Sequence, residues 1–261
     1  MATSRNGTEA VRGSCFRGQI NRPDLRQLLL ERELSRLLSN GKIIKEDKNR
    51  KILAINTGPD SKVFVKLHRE ESPLERLKTA VLGSRAQRSH RKSELLDSRG
   101  LPGSASYGFI DIFDYEGRGS VHFSELLSDT ETLAKTLATN PCSSPIKSAS
   151  KLIATLHQQG LIHGDLKLTN LMVRGEKLYF VDLDGLRRSS SSRLRARDIA
   201  RFLVALSEAN TELSMTRSAF ATYCQTLGIP EQALHERVIA IAKTFQKKHL
   251  TKYQRPPRPV L

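Results

Sequence analysis

Tryptophan is absent from the chain of 261 residues, and the aromatic residues together make up only 5% of it. So few rings leave little material for the stacked platforms with which proteins bind single-stranded bases. Cysteine is scarce as well, and Cys15, Cys142 and Cys224 are too isolated in the sequence to form a zinc motif. An odd and sparse set of cysteines is typical of a reducing compartment, so we expect a cytoplasmic protein.

Long apolar runs are also missing from the sequence. No stretch approaches the roughly 20 apolar residues that a membrane-spanning helix needs. Residues 1–18 are polar with scattered arginines and lack the apolar segment of a secretory signal. We therefore expect neither a membrane span nor secretion.

Acidic residues are in deficit, with 27 Asp and Glu against 43 Lys and Arg, and the formal net charge is +16. Such a surface attracts polyanions, among them nucleic acid, anionic lipid headgroups and phosphorylated glycans. The sequence has no zinc-finger spacing and no RNA-recognition motif, so we expect no specific nucleic-acid partner. An anionic membrane surface, such as the inner face of the cell membrane, remains a partner that the charge favours.

One stretch, residues 161–170, places an aspartate five positions before an asparagine in the sequence His-Gly-Asp-Leu-Lys-Leu-Thr-Asn. Protein kinases carry their catalytic Asp and a metal-binding Asn at this spacing in one loop. Asp165 and Asn170 are therefore predicted catalytic residues, and Lys167 between them is predicted to point at the transferred phosphate. A solvated surface lysine is the alternative for Lys167. His163 is predicted to brace the loop.

Two short apolar runs with a turn at residues 174–177 follow and predict a β-hairpin. Asp182 ends the second strand, where protein kinases carry a metal-binding Asp. The sequence there reads Asp-Leu-Asp-Gly, so Asp184 is either a second metal contact or a turn residue. Aspartate and asparagine alone commonly mark turns, but the joint pattern indicates phosphoryl transfer from a metal-bound nucleotide, with Asn170 and Asp182 as metal ligands.

Three strand-like runs in the first half of the chain, residues 42–45, 52–55 and 62–67, predict an antiparallel meander. Lys66 near the end of the third run is predicted to bind the nucleotide phosphates, as the strand lysine of kinases does. The turn between the first two runs contains no glycine, unlike the phosphate-binding loop of kinases. In a basic helix over residues 84–99, Glu94 is the candidate to orient Lys66, and a solvated surface glutamate is the alternative. The backbone around Glu125, in a hinge at residues 124–127, is predicted to bind an adenine.

These patterns predict an α+β chain in four parts. Residues 1–21 form a disordered basic leader, residues 22–127 a lobe with the nucleotide-binding sheet, residues 128–254 a helical lobe with the catalytic loop, and residues 255–261 an extended basic tail. Asp198 in the helix after the loop either bonds the loop backbone from behind or is a plain helix N-terminal aspartate. Three alternative functions stay open: a small atypical Ser/Thr protein kinase, a non-catalytic kinase-like binding module and, on charge alone, a nucleic-acid binder.

Several segments of the chain resemble the lipopolysaccharide kinase family. They are the loop from His163 to Asn170, the strand ending at Asp182, the Arg197–Asp198 helix, and residues 84–102 and 220–223. This resemblance implies a bilobal protein-kinase-like fold with a small antiparallel-sheet N-lobe and a helical C-lobe. It also implies ATP with Mg²⁺, and a sugar hydroxyl of a membrane glycolipid as the phosphate acceptor. By the same resemblance Asp165 is the catalytic base, and Lys66 is the phosphate-binding lysine.

Overall fold

The computed structural model describes residues 9–261 of the chain, except residues 14, 32–33, 59–60, 71 and 115–116. The chain folds as two compact units. The first runs to Ser98 and continues over Ser104–Ser128, and the second comprises Arg99–Gly103 and Asp129–Leu261. Residues 99–103, which the sequence assigns to the first lobe, therefore belong with the second unit. The backbone explains this, because the N–H of Phe180 donates to the carbonyl oxygen of Pro102 at 3.0 Å.

The strands of the first unit are β1 (Glu9–Arg12), β2 (Phe16–Ile20), β3 (Lys42–Asp47), β4 (Arg50–Gly58), β5 (Ser61–Arg69), β6 (Ser106–Asp114) and β7 (Gly117–Glu125). In the described part of this unit they form one antiparallel sheet in the order β1-β2-β6-β7-β5-β4-β3. The predicted meander is the β3-β4-β5 edge of this sheet, and it is confirmed.

Alternating residues of the sheet build the core of the first unit. Leu53 and Ile55 on β4, and Val63 and Val65 on β5, are buried, as strands with one covered face require. Helices α1 (Pro23–Glu31) and α2 (Leu34–Ser39) cover this face with Leu25, Leu29, Leu34 and Leu37. The apolar spacing in both helices therefore matches their packing on the sheet.

The predicted disorder of residues 1–21 is wrong for two segments of the leader. Strand β2 pairs with β6, with Phe16 opposite Ile112, and β1 pairs with β2 at the sheet edge. Phe16 and Ile20 are buried, so the leader completes the core. Residues 1–8 lie outside the described part of the chain.

Two more helices complete the first unit. Helix α3 (Pro73–Leu82) begins with a capping box between Ser72 and Glu75. Helix α4 (Arg85–Asp97) is the predicted basic helix, and the Ser84 hydroxyl caps it by accepting the N–H of Gln87 at 3.1 Å.

The second unit is mainly helical. Its helices are α5 (Leu133–Thr139), α6 (Ser143–Gln158), α7 (Ser192–Glu208), α8 (Leu213–Leu227) and α9 (His235–Tyr253), and its strands are β8 (Glu131–Thr132), β9 (Leu161–Ile162), β10 (Leu171–Arg174), β11 (Lys177–Phe180) and β12 (Arg187–Arg188). The β10–β11 pair is the predicted hairpin and is confirmed. The tail after residue 254 forms no helix or strand, and it packs through Val260 and a hydrogen bond from Gln246 to the Arg258 carbonyl oxygen. In the described part of the chain no helix has the length and apolar character to cross a membrane.

Candidate active site

The predicted catalytic loop begins where β9 ends and closes in a 3-10 turn over Leu168–Asn170. Leu166 and Leu168 are buried and anchor the loop to the core. Asp165 and Lys167 alternate with them and are only partly buried. Because successive side chains of an extended segment point to opposite sides, the loop turns both polar groups away from the core.

Asn170 is bonded directly to Asp165. Its amide nitrogen donates to the Asp165 backbone carbonyl oxygen at 2.8 Å and lies 3.4 Å from carboxylate Oδ2. The five-residue spacing therefore closes a small ring in which the two predicted catalytic side chains lie side by side.

Two cations hold the Asp165 carboxylate. Lys167 Nζ lies 2.8 Å from Oδ2, and a guanidinium nitrogen of Arg201 lies 2.5 Å from Oδ1. Arg201, on α7, is missing from the sequence prediction. It lies three residues after Asp198, and a spacing of three places both residues on one side of a helix, so this spacing is the signal that could have found it.

Asp182 follows the hairpin, and the residue just before it, Val181, is bonded to Asn170. Leu171 pairs with Phe180, and the N–H of Val181 donates to the Asn170 carbonyl oxygen at 3.0 Å. Asp182 adopts left-handed backbone angles, with φ 56° and ψ 57°. This conformation is uncommon for a residue other than glycine and recurs at functional sites.

Asp198 holds the loop from behind, as one of the two predictions for it stated. Its carboxylate accepts the backbone N–H of His163 at 2.7 Å and that of Gly164 at 3.0 Å. The Asp198 side chain is buried, and the Nε2 atom of His157 lies 3.4 Å from its Oδ2 atom. His157 Nδ1 in turn lies 2.7 Å from the Tyr223 hydroxyl. Three helices, α6, α7 and α8, thus fix the loop through one buried chain of hydrogen bonds.

His163 braces the loop, as predicted. Its ring is fully buried, packs on Phe180, accepts the N–H of Asp165 at Nδ1 and donates from Nε2 to the Val181 carbonyl oxygen at 3.2 Å. Burial lowers the pKa of His163 and of His157, although Asp198 opposes this shift. Both imidazoles are therefore neutral at pH 7, and neither is a charged partner of the loop.

Gly164 has φ +83°, and a Cβ atom there would lie 2.8 Å from the Gly185 carbonyl oxygen. Gly175, at the hairpin turn, also has positive φ, but a Cβ atom there would meet nothing within 4 Å. Both Gly→Ala variants incur the cost of left-handed geometry, about 1–2 kcal/mol. Gly164→Ala should lose about 1–3 kcal/mol more because backbone must move. Urea unfolding of the two variants measures the difference in stability. Equal losses of stability would contradict the close approach of Gly164 to the Gly185 carbonyl oxygen.

The remaining predicted residues lie in the first unit. Lys66 is partly buried on β5, between Ile52 on β4 and His122 on β7. Glu94 is 54% exposed and lies 3.4 Å from His90 on its own helix, one turn earlier. This contact of the Glu94 carboxylate lies within its own helix, and the pairing with Lys66 stays a prediction.

The backbone of Glu125 is already used within the first unit. Its N–H donates to the Ala105 carbonyl oxygen at 2.8 Å, and its carbonyl oxygen accepts the Ser104 hydroxyl at 2.8 Å. The predicted adenine contact would compete with these bonds, because the chain folds back beside β7 at residues 104–105.

Asn170 and Asp182 fit the oxygen donors that Mg²⁺ prefers. The amide nitrogen of Asn170 donates to Asp165, so its amide oxygen is the atom suited to a metal. Among the described residues no group of three or more His, Cys, Asp and Glu side chains could hold a metal ion. Nucleotide phosphates and water would therefore have to complete the coordination, as is usual for Mg²⁺.

The fold and this loop define a protein with a protein-kinase-like fold. A solved structure described as "WaaP in complex with acyl carrier protein" is similar to this chain, with a TM-score of 0.62 and 17% sequence identity. The similarity covers 89% of this chain and 98% of that one. No curated protein matches the chain.

The family itself follows from the sequence match. The model of the lipopolysaccharide kinase (Kdo/WaaP) family matches residues 119–250, about half of the chain. The chain belongs to this family and is a kinase, as the sequence predicted.

Proposed function

We propose that this kinase transfers the γ-phosphate of ATP, in the presence of Mg²⁺, to a sugar hydroxyl of a lipopolysaccharide-type glycolipid. The observation that supports this most is the bonded pair of Asp165 and Asn170 in a member of the lipopolysaccharide kinase family. The backbone of Val181, next to Asp182, is bonded to the same asparagine. We place the reaction in the cytoplasm, at the inner face of the cell membrane. The excess of positive charge supports this location, because anionic headgroups attract a basic surface.

In this proposal Asp165 orients the acceptor hydroxyl and accepts its proton. Phosphoryl transfer depends mostly on positioning and on stabilisation of the developing negative charge. Lys167 and Arg201 hold the Asp165 carboxylate in one orientation, and their positive charge would favour an approaching phosphate. Asn170 and Asp182 would hold Mg²⁺, which neutralises charge on the phosphates.

Lys66 is the proposed phosphate-binding lysine of the first unit. The sheet fixes its backbone on both sides through β4 and β7, so its position is defined by the fold rather than by a loop. We leave Glu94 and Glu125 out of the proposed nucleotide site, because Glu94 pairs with His90 and the Glu125 N–H is bonded to Ala105.

A transfer assay with labelled ATP tests the acceptor. Extracted lipid A–core oligosaccharide and total cell protein are incubated in parallel with the enzyme, with and without Mg²⁺. We expect label in the glycolipid and only with Mg²⁺. Label in protein instead would identify a protein kinase, and label in neither would favour a non-catalytic binding module.

Lys66→Ala should lower kcat/KM for ATP by about a hundredfold, because one charged phosphate contact is lost from the reacting complex. Lys62→Ala is the matched control, since Lys62 lies on the same strand and is exposed. The same labelled-ATP assay gives both values. Equal effects of the two substitutions on kcat/KM would contradict a phosphate-binding role for Lys66.

A further inference from the structure

Helix α3 turns its apolar side to solvent. Leu74, Leu77, Val81 and Leu82 are 70%, 63%, 74% and 55% exposed, and no residue of the helix is buried. Their spacing places them along one side of the helix, which is the pattern of an amphipathic helix. In a soluble protein such a stripe normally packs on the core, so an exposed stripe indicates an interaction surface.

Polar groups attach α3 to the rest of the first unit. The Thr79 hydroxyl donates to Glu70 Oε1 at 2.5 Å, and the capping box of Ser72 and Glu75 fixes the first turn. Arg76 and Thr79 line a cavity of about 670 Å³ on the side of β1, β2 and β6. The helix is therefore held by its polar side, and its apolar side can contact a partner without any change in the core.

The surroundings of the apolar stripe are basic. From Leu74 to Lys92, both included, the chain has six Lys and Arg residues and a single acidic residue, Glu75. Lys78 is exposed and lies on the same side of the helix as the stripe. The charged groups that line the cavity behind α3 are mostly arginines: Arg12, Arg17, Arg76 and Arg118, with Glu70 and Asp111 as the acids.

We propose that α3 anchors the protein to an anionic lipid bilayer, with its axis in the plane of the interface. Leucine and valine side chains would enter the acyl boundary, while Lys78 would reach lipid phosphates through its long apolar stem. Interfacial helices have this composition, with apolar residues on one side and Lys and Arg around them. The inference rests on the proposed function, since it gives a kinase of a membrane glycolipid a way to reach its acceptor.

The absence of tryptophan allows a direct test of insertion. Leu74→Trp introduces a single indole in the stripe, and Leu30→Trp introduces one at a 59% exposed position of α1. Both proteins are mixed with vesicles of phosphatidylcholine, with and without phosphatidylglycerol, and with brominated lipid as a quencher. We expect a blue shift and quenching only for Leu74→Trp and only with phosphatidylglycerol. Equal quenching of both indoles, or none in either, would overturn the proposal.

A second test measures vesicle binding by co-sedimentation. Leu77→Glu/Val81→Glu should weaken partitioning into phosphatidylglycerol vesicles more than about tenfold, because two apolar contacts are replaced by charges. Leu30→Glu/Ile43→Glu carries the same charge change, and Ile43 lies on β3, at the sheet edge opposite β1. We expect this control to change binding less than about twofold. Thermal unfolding shows that each variant is folded.

Neither measurement uses ATP or an acceptor, so a failure of the proposed reaction would leave the docking result unaffected. Two other occupants of the stripe would overturn the proposal. One is a second copy of the chain, seen as a dimer by light scattering that Leu77→Glu/Val81→Glu dissociates. The other is an acidic protein, whose binding the same variant would abolish while vesicle binding persists.

Discussion

Asp165→Asn is expected to lower the rate of phosphoryl transfer about a thousandfold without unfolding the protein. The amide has the size of the carboxylate, and its single oxygen can still accept a hydrogen bond from Lys167 or from Arg201. It cannot take the proton of an acceptor hydroxyl. The carboxylate is 28% exposed, and ion pairs at such positions contribute about 1 kcal/mol or less. Labelled-ATP transfer gives kcat and KM, and urea unfolding gives the stability.

Glu176→Gln is the control for Asp165→Asn. It removes the same charge from the exposed turn between β10 and β11, so both rate and stability should stay unchanged. A variant Asp165→Asn that keeps more than about a tenth of the rate would contradict a proton-accepting role. A large loss of stability would instead mean that the ion pairs with Lys167 and Arg201 hold the loop together.

Local patterns are what the sequence predicts well here. The hairpin of β10 and β11 and the meander of β3, β4 and β5 have strands and turns next to each other in the chain, so alternation and turn residues suffice to find them. The spacing of Asp165 and Asn170 is local in the same sense. The side-chain contact between them follows from the short loop that carries both.

Long-range pairing explains most of what the sequence does not predict. Strand β2 pairs with β6, with Phe16 opposite Ile112. Its short sequence, Phe-Arg-Gly-Gln-Ile, does not identify a strand by itself, since strand formation depends on the neighbours on which the side chains pack. The contact of Arg201 with Asp165 likewise depends on where α7 packs, and the sequence around Asp165 does not indicate that position.

Helix α3 is absent from the sequence-based prediction, although Ser72, Pro73 and Glu75 form a standard start signal. Its apolar spacing would ordinarily indicate a buried side, but the structure leaves these residues exposed. A departure from the usual inside–outside pattern is informative, because it marks the surface on which a partner is expected.

Asp198→Asn is expected to cost about 2–4 kcal/mol of stability and to abolish most activity, because a buried backbone donor loses a charged acceptor. The buried carboxylate accepts two backbone N–H groups, from His163 and Gly164, and lies beside the Nε2 atom of His157. An amide offers a single acceptor oxygen, and its NH₂ group would face a donor. Since the loop that carries Asp165 depends on these bonds, a shift of about 1 Å would lower the rate about a hundredfold.

Two variants separate support of the loop from chemistry. Tyr223→Phe removes only the hydroxyl that bonds His157, so it should cost about 1–3 kcal/mol, less than Asp198→Asn. Urea unfolding and labelled-ATP transfer should then give three patterns: Asp165→Asn loses rate alone, Asp198→Asn loses both, and Tyr223→Phe loses mostly stability. A normal rate in Asp198→Asn would show that the loop keeps its shape without the buried carboxylate, because Asn170 and the β10–β11 hairpin would then suffice to place Asp165.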